Sequence, residues 1–160
     1  MTQLAKARAG VTTPEMEAVA KVEQVDVHWL RDKVAEGKIA IPANINHKGL
    51  MPCGIGEGLR IKVNANIGTS SDRAILEEEV AKLEAAEEAG ADSIMDLSTG
   101  GDIGFFRRNI LSRTSLTVGT VPVYQAVVET VNDKGGLIHL TVDKLFDVIE
   151  EQAADGVDFI

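Results

Sequence analysis

The sequence predicts an α/β fold: the first half of a (β/α)₈ TIM-like barrel, preceded by a small helical N-terminal segment. Short apolar runs followed by small polar clusters and then by helical patterns recur after about position 59. In parallel sheets built from such units, the polar clusters meet at the carboxyl edge of the strands, where sites form. The clusters lie at nearly equal intervals and are NANIG (64–68), MDLSTGG (95–101) and GTVPVYQ (119–125).

Length and composition indicate a chain with one modest hydrophobic core. Of its 160 residues, 44% are hydrophobic and 26% are charged, which is not the composition of a disordered protein. The 25 acidic and 16 basic residues give a formal charge of −9, which repels nucleic-acid phosphates and anionic lipid. We therefore expect no nucleic-acid or membrane partner. The N-terminus does not resemble a signal sequence, so we expect a cytoplasmic protein.

Residues 1–58 are predicted to form the helical lead-in and a glycine-rich loop. Thr13 can cap a helix and Pro14 suits its first turn, and apolar residues continue at helical spacing to a stop at Gly37. A short strand is expected near 39–41. The GIGEG motif (54–58) lacks the Walker lysine and the Rossmann spacing and precedes a strand, so we interpret it as a turn rather than a nucleotide site.

Residues 59–160 are predicted to form three and a half βα units. The first has a strand at 59–63 and a helix capped by Ser71 and Asp72, and the second has a strand at 91–97 and a helix capped by Asp102. The third strand is expected at 116–118 and 121–123, broken at 119–120, and its helix ends in a loop at 132–136.

The last predicted helix begins after Thr141 and a further strand follows it at 157–160. This helix carries an apolar stripe formed by Val142, Leu145, Phe146, Ile149 and Ala153. The strand is apolar enough for burial on both faces, yet no covering helix follows it. A (β/α)₈ barrel needs about 250 residues, so we expect a truncated half-barrel. The alternative is a small open α/β sheet that is complete at four strands.

The polar clusters supply the candidate binding residues. Asn64 and Asn66 alternate by two, so both amides point the same way and can bind one polar ligand. Asp96 can act as an acid, a base or an anchor, Ser98 precedes a glycine pair, and Tyr124 can donate a hydrogen bond or a proton. The alternative is that these residues have structural roles only: Asn64 and Asp96 cap turns or helices, Met95 belongs to the hydrophobic core, and Tyr124 packs against its neighbours.

Other chemistries lack the residues that they need. Cys53 is the single cysteine, so this chain cannot form an internal disulfide or a thiolate metal site, and we interpret Cys53 as a bystander. His28, His47 and His139 have no metal-binding spacing. No nucleophile elbow or carboxylate pair is evident, which fits an enzyme whose difficult chemistry belongs to a cofactor.

The motifs resemble the N-terminal portion of the phosphomethylpyrimidine synthase family, essentially from end to end. The matching motifs are MTQL (1–4), TPEM (13–16), IPANINH (41–47), VNANIG (63–68), MDLSTG (95–100), GTVPVYQA (119–126) and EQAADGVDF (151–159). The resemblance implies a radical S-adenosylmethionine lyase with a [4Fe–4S] cluster, which rearranges 5-aminoimidazole ribotide to 4-amino-5-hydroxymethyl-2-methylpyrimidine phosphate. It also implies that Asn66, Met95 and Tyr124 contact the ribotide, and the polar clusters add Asn64, Asp96 and Ser98 as further candidate contacts.

The resemblance also implies what residues 1–160 lack. The family's cluster cysteines, the histidine ligands of a divalent metal such as zinc, and the arginine-containing ribotide contacts match positions beyond Ile160. We therefore expect this chain alone to be inactive. For the complete protein we expect a homodimer.

Two other interpretations stay open. The 5-hydroxybenzimidazole synthase of anaerobic cobamide synthesis resembles this family throughout, acts on the same ribotide and has a similarly short N-terminal region. We prefer the thiamine enzyme because it is more prevalent. The third interpretation is a non-catalytic ribotide-binding or assembly module of a split enzyme.

Overall fold

Seven helices and five short strands are present in the computed structural model, which describes all of residues 1–160. The helices are α1 (Gln3–Arg8), α2 (Pro14–Glu23), α3 (Val27–Ala35), α4 (Leu76–Glu88), α5 (Ile103–Leu111), α6 (Pro122–Lys134) and α7 (Val142–Asp155). The strands are β1 (Ile39–Ala40), β2 (Ile55–Gly56), β3 (Asn64–Ile67), β4 (Ser93–Asp96) and β5 (Thr117–Thr120). A 3₁₀ turn spans Leu137–His139. None of the helices has the length and apolar character needed to cross a bilayer.

The N-terminal helices form as the sequence predicts. The Thr13 hydroxyl accepts a hydrogen bond from Met16 N at 3.1 Å, and Pro14 occupies the first turn of α2. Asp26 caps α3 in the same way, a cap that the sequence analysis missed. These helices enclose a hydrophobic cluster of their own, formed by Ala7, Met16, Val19, Ala20, Leu30, Val34, Ile39 and Ile41. The glycine-rich loop contains β2, which pairs antiparallel with β1.

The central sheet is parallel and has the order β3-β4-β5. The first strand begins at Asn64, so the prediction of a strand at 59–63 was wrong. The backbone N–H groups of Arg60 and Val63 donate to the carboxylates of Glu23 and Asp92, both at 2.8 Å, instead of joining the sheet. Ile61 is 88% exposed.

The third strand of the units, β5, also differs from its prediction. It runs without a break through Gly119 and Thr120, and the expected strand at 121–123 is absent because α6 begins at Pro122. A Cβ atom at position 119 would lie 2.3 Å from the ring of Phe159. Glycine is therefore needed here for close packing, and it does not interrupt the strand.

Two of the three predicted helix caps in the βα units are correct. Asp102 accepts a hydrogen bond from Phe105 N at 2.8 Å, and Thr141 accepts one from Lys144 N at 3.1 Å. Ser71 and Asp72 do not cap α4, because Ser70 and Arg73 pair across them in a tight turn and α4 starts later, after Ile75. Helix α6 extends into the predicted loop at 132–136: it ends at Lys134, and Gly135 caps it.

The helices α4 and α5 cover one face of the sheet. A second hydrophobic cluster fills this interface and contains Ile67, Leu83, Ile94, Ile110, Leu111, Val118 and Val157. Helix α7 departs from its predicted orientation: Val148 and Gln152 are buried, whereas Val142 and Phe146 are 69% and 59% exposed. Hydrogen bonds determine this orientation: the Gln152 side chain bonds to Thr120 and to Gln125, so the face of α7 that carries Gln152 is turned toward the protein interior.

The last residues lie parallel to β5. Asp158 N donates to Val118 O at 2.9 Å, and Thr120 N donates to Phe159 O at 3.2 Å. A single parallel bridge joins Gly119 to Phe159, in place of the longer strand that was expected at 157–160. The structure is thus a mixed α/β fold with one small antiparallel pair and one parallel sheet.

Candidate functional site

The face of the central sheet turned away from α4 and α5, here called the far face, carries the candidate amides. Along β3, Ala65 and Ile67 point toward the helices, so Asn64 and Asn66 point to the far face and are exposed. Asn66 is paired in register with Met95, and Met95 with Gly119. The strands thus bring Asn66 and Met95 together, as the sequence predicted.

The far face also has an aromatic component that the sequence analysis missed. The ring of Phe159 lies over Gly119, next to Met95 in the same row. Met95 is half-buried. An amide, a thioether and an aromatic ring can together bind a flat, polar heterocycle, because the apolar groups contact the ring faces and the amide bonds its edge.

Tyr124 lies at the carboxyl edge of β5, in the first turn of α6. Its backbone N–H donates to Val121 O at 2.9 Å, its side chain is 43% exposed, and its hydroxyl forms no hydrogen bond within the chain. The structure therefore places Tyr124 at the rim of the sheet with a free phenol.

Asp96 and Ser98 lie apart from these residues, because Asp96 faces the helices. Both are 5% exposed, and the Ser98 N–H and hydroxyl both donate to Asp96 Oδ1. Burial raises the pKa of Asp96 above its ordinary value, against the opposing effect of these hydrogen bonds. Asp96 and Ser98 are thus hydrogen-bonded to each other on the helix side of the sheet and do not lie beside Asn66.

The loops that follow β3 and β4 are locked together. Thr69 Oγ1 donates to Gly100 O at 2.6 Å, Thr99 N donates to Thr69 O at 2.9 Å, and Thr69 N donates to Ser98 Oγ at 3.1 Å. A Cβ atom at position 100 would lie 2.0 Å from Ser70 O, so only glycine permits this contact. This part of the rim is therefore held by backbone packing.

A buried arginine that was not predicted from the sequence, Arg107, holds the helices behind the site. Arg107 is 1% exposed; its guanidinium donates to Asp155 Oδ2 at 2.6 and 2.9 Å, to Glu151 Oε1 at 2.8 Å and to Gln125 Oε1 at 2.6 Å. Gln125 directly follows Tyr124 in α6. The network therefore fixes the helical turn that carries the phenol.

A second buried ion pair joins the N-terminal region to the end of the chain. His47 Nδ1 lies 2.7 Å from Asp158 Oδ2, and His47 Nε2 lies 3.1 Å from Thr114 O. Because both neighbours are acceptors, the site favours the protonated imidazole, in which both ring nitrogens donate. The hydrogen bond to Asp158 is the main cause that raises the pKa of His47.

The residues of this chain do not fit an iron–sulfur cluster. Such clusters are held by several cysteine thiolates, whereas Cys53 is the single cysteine here, and burial raises the pKa of its thiol. No group of three His, Cys, Asp or Glu side chains is arranged to hold a metal ion. Residues 64–124 place polar side chains on the far face of a parallel sheet and at its carboxyl edge.

The sequence of this chain matches a known class of protein. Residues 2–160 match the Radical SAM ThiC family, and the chain belongs to that family. Complete enzymes of this radical SAM family use a [4Fe–4S] cluster and S-adenosylmethionine.

The curated relatives include two kinds of synthase. The chain is 56% identical over all 160 residues to the phosphomethylpyrimidine synthase of Carboxydothermus hydrogenoformans and to that of Moorella thermoacetica. It is also 56% identical over 160 residues to the 5-hydroxybenzimidazole synthase BzaB of Moorella thermoacetica. The chain spans 37% of the length of the two pyrimidine synthases and 38% of BzaB.

Proposed function

We propose that this chain is the N-terminal part of a radical S-adenosylmethionine lyase that rearranges 5-aminoimidazole ribotide to 4-amino-5-hydroxymethyl-2-methylpyrimidine phosphate in thiamine synthesis. The observation that carries this proposal is the family match over residues 2–160, and the far-face row, in which Asn66 and Met95 are direct neighbours, supports the ribotide contact. Tyr124 stands at the carboxyl edge of the same sheet. In this proposal, Asn66, Met95 and Tyr124 contact the ribotide.

The chemistry of the row suits binding without proton transfer. The Asn66 amide hydrogen-bonds the polar edge of the ribotide, while Met95 and the Phe159 ring contact its apolar faces. The one carboxylate considered for the site, Asp96, is buried on the other side of the sheet. The proposed role of these residues is therefore to hold and orient the substrate.

The rest of the machinery belongs, in this proposal, to the full-length protein. Because the residues here do not fit the cluster, its ligands and those of a divalent metal such as zinc lie outside positions 1–160. The adjacent parallel strands β3, β4 and β5, with residues 157–160 beside β5, are arranged as the first strands of a (β/α)₈ barrel would be. We propose a homodimer for the complete protein.

A second product is supported by one observation. BzaB and the pyrimidine synthase of the same organism are equally similar to this chain, each at 56% identity. A 5-hydroxybenzimidazole synthase that acts on the same ribotide would use the same far face.

The test is an anaerobic assay of the full-length protein with reduced cluster, S-adenosylmethionine and the ribotide, with products identified by mass. Formation of the phosphorylated pyrimidine is the expected result, and 5-hydroxybenzimidazole would establish the second function instead. If neither forms although the cluster is intact and the ribotide binds, the enzyme proposal fails and a ribotide-binding module is supported.

A further inference from the structure

We propose that Ser93 and Asn64 are positioning residues that orient the amide of Asn66 so that it presents its N–H groups to the ligand. This inference rests on the proposed function, because it takes Asn66 as a contact of the ribotide. Beyond the proposed function, it assigns a role to Ser93. It also fixes the direction of the hydrogen bonds among the three side chains, and this direction determines which kind of ligand atom Asn66 can bind.

The three side chains form a continuous hydrogen-bonded relay on the far face. Ser93 Oγ lies 2.9 Å from Asn64 Oδ1, and Asn64 Nδ2 lies 2.9 Å from Asn66 Oδ1. Asn64 is directly opposite Ser93 in the β3–β4 register, and Asn66 follows two residues later on the same face. Strand geometry alone therefore brings the three groups into line.

Ser93, the buried member of the relay, determines which groups donate and which accept. Ser93 is 5% exposed, and Asn64 Oδ1 is the one acceptor that its hydroxyl reaches in the chain. A buried hydroxyl that fails to donate its proton is costly, so the proton goes to this oxygen. Asn64 must then turn its Nδ2 toward Asn66, and Asn66 must offer Oδ1 in return.

The relay leaves the Asn66 Nδ2 hydrogens without a partner in the chain, because its Oδ1 alone is engaged. Asn66 is exposed, so these two donors are open to a ligand. The ligand atom that Asn66 selects is therefore an acceptor, such as an unprotonated ring nitrogen or a ribose oxygen. An amino group, which is a donor, would face a like group and be disfavoured.

The test measures ribotide affinity by calorimetry on the full-length protein. Ser93→Ala releases the relay, and we expect it to weaken binding by about tenfold, the worth of one well-oriented hydrogen bond. Asn64→Ala removes the middle member of the relay and should give a similar loss of affinity; because it also leaves the Ser93 hydroxyl without its acceptor, its unfolding temperature is measured alongside. Ser93→Thr retains the hydroxyl and should restore binding. Ser112→Ala removes a hydroxyl bonded to Asn109 O at the end of α5 and serves as the control.

A double-mutant cycle separates positioning from a merely structural effect. If Ser93 acts through Asn66, then Ser93→Ala causes no further loss in an Asn66→Ala background. Additive losses, or unchanged affinity in Ser93→Ala while Asn66→Ala is weakened, would overturn the relay and leave the proposed function standing. Unchanged affinity in Asn66→Ala itself would overturn both.

Discussion

At the scale of single residues, Gly119 shows how one missing atom shapes the far face. A side chain there would collide with the Phe159 ring, whose nearest atom would lie 2.3 Å from a Cβ. The glycine therefore permits the Phe159 ring to lie over it, and the bridge between Gly119 and Phe159 joins the last residues of the chain to the row that holds Met95 and Asn66.

We expect Gly119→Ala to lower the free energy of unfolding by about 1–3 kcal/mol, because overpacking forces the ring to move. Thermal or urea unfolding measures this. The double variant Gly119→Ala/Phe159→Ala removes the collision, so the cost of the alanine at 119 should largely vanish in that background. An equal cost with and without the ring would contradict the packing explanation.

The buried His47–Asp158 pair makes stability depend on pH. The pKa of His47 is raised in the folded chain, chiefly by its hydrogen bond to Asp158, so the folded state holds the proton more tightly than the unfolded state. The stabilisation is fully present below the unfolded pKa of about 6.5. It is lost as the pH rises through the higher folded value.

We therefore expect wild type to exceed His47→Gln in free energy of unfolding by about 3 kcal/mol near pH 6, since removing one partner of a buried pair leaves the other uncompensated. This difference should shrink as the pH is raised. Urea unfolding at a series of pH values checks it, with His28→Gln, an exposed histidine, as the control. A difference that grows with pH would refute the assigned protonation.

At the scale of elements, local sequence predicted where several helices begin, but it did not predict which side of the sheet each strand residue faces. Thr13, Asp102 and Thr141 were recognisable as caps because capping depends on atoms within one turn. The side of the sheet that Asp96 faces depends on strand register and on the helices packed against it. The sequence alone therefore placed Asp96 together with Asn66, whereas the folded sheet separates them.

The stripe of α7 and the position of Arg107 were missed for the same physical reason. Apolar spacing predicted that Val142 and Phe146 face the core, but the polar network around Gln152 and Arg107 determines which face is buried. No periodic pattern marks such a network, because its members come from three different helices.

Replacing Arg107 tests this network directly. Arg107→Ala leaves Asp155 and Glu151 without their buried partner, and we expect a loss of about 3–5 kcal/mol in the free energy of unfolding. The neighbouring Arg108, 53% exposed at its side chain, is the matched control, and Arg108→Ala should cost about 1 kcal/mol or less. Equal losses from both variants, measured by chemical denaturation, would show that the buried network does not hold the helices.

At the scale of the whole molecule, two hydrophobic clusters are joined by polar contacts. The helical N-terminal cluster and the cluster beneath the sheet share no residue. Lys62 and Glu23 form a largely buried ion pair at 2.8 Å between them, and His47 bonds Asp158 on the other side. The N-terminal region thus supports the sheet from its flank and leaves the Asn66 amide exposed.

We propose that the far face binds the ribotide through Asn66. The most direct test is the ribotide dissociation constant of the full-length protein, compared among wild type, Asn66→Ala and the control Asn132→Ala, which lies on exposed α6 surface. We expect Asn66→Ala to weaken binding by about 1–3 kcal/mol, with an unchanged unfolding temperature, and Asn132→Ala to bind like wild type. An Asn66→Ala protein that binds the ribotide as tightly as wild type would contradict this role of Asn66.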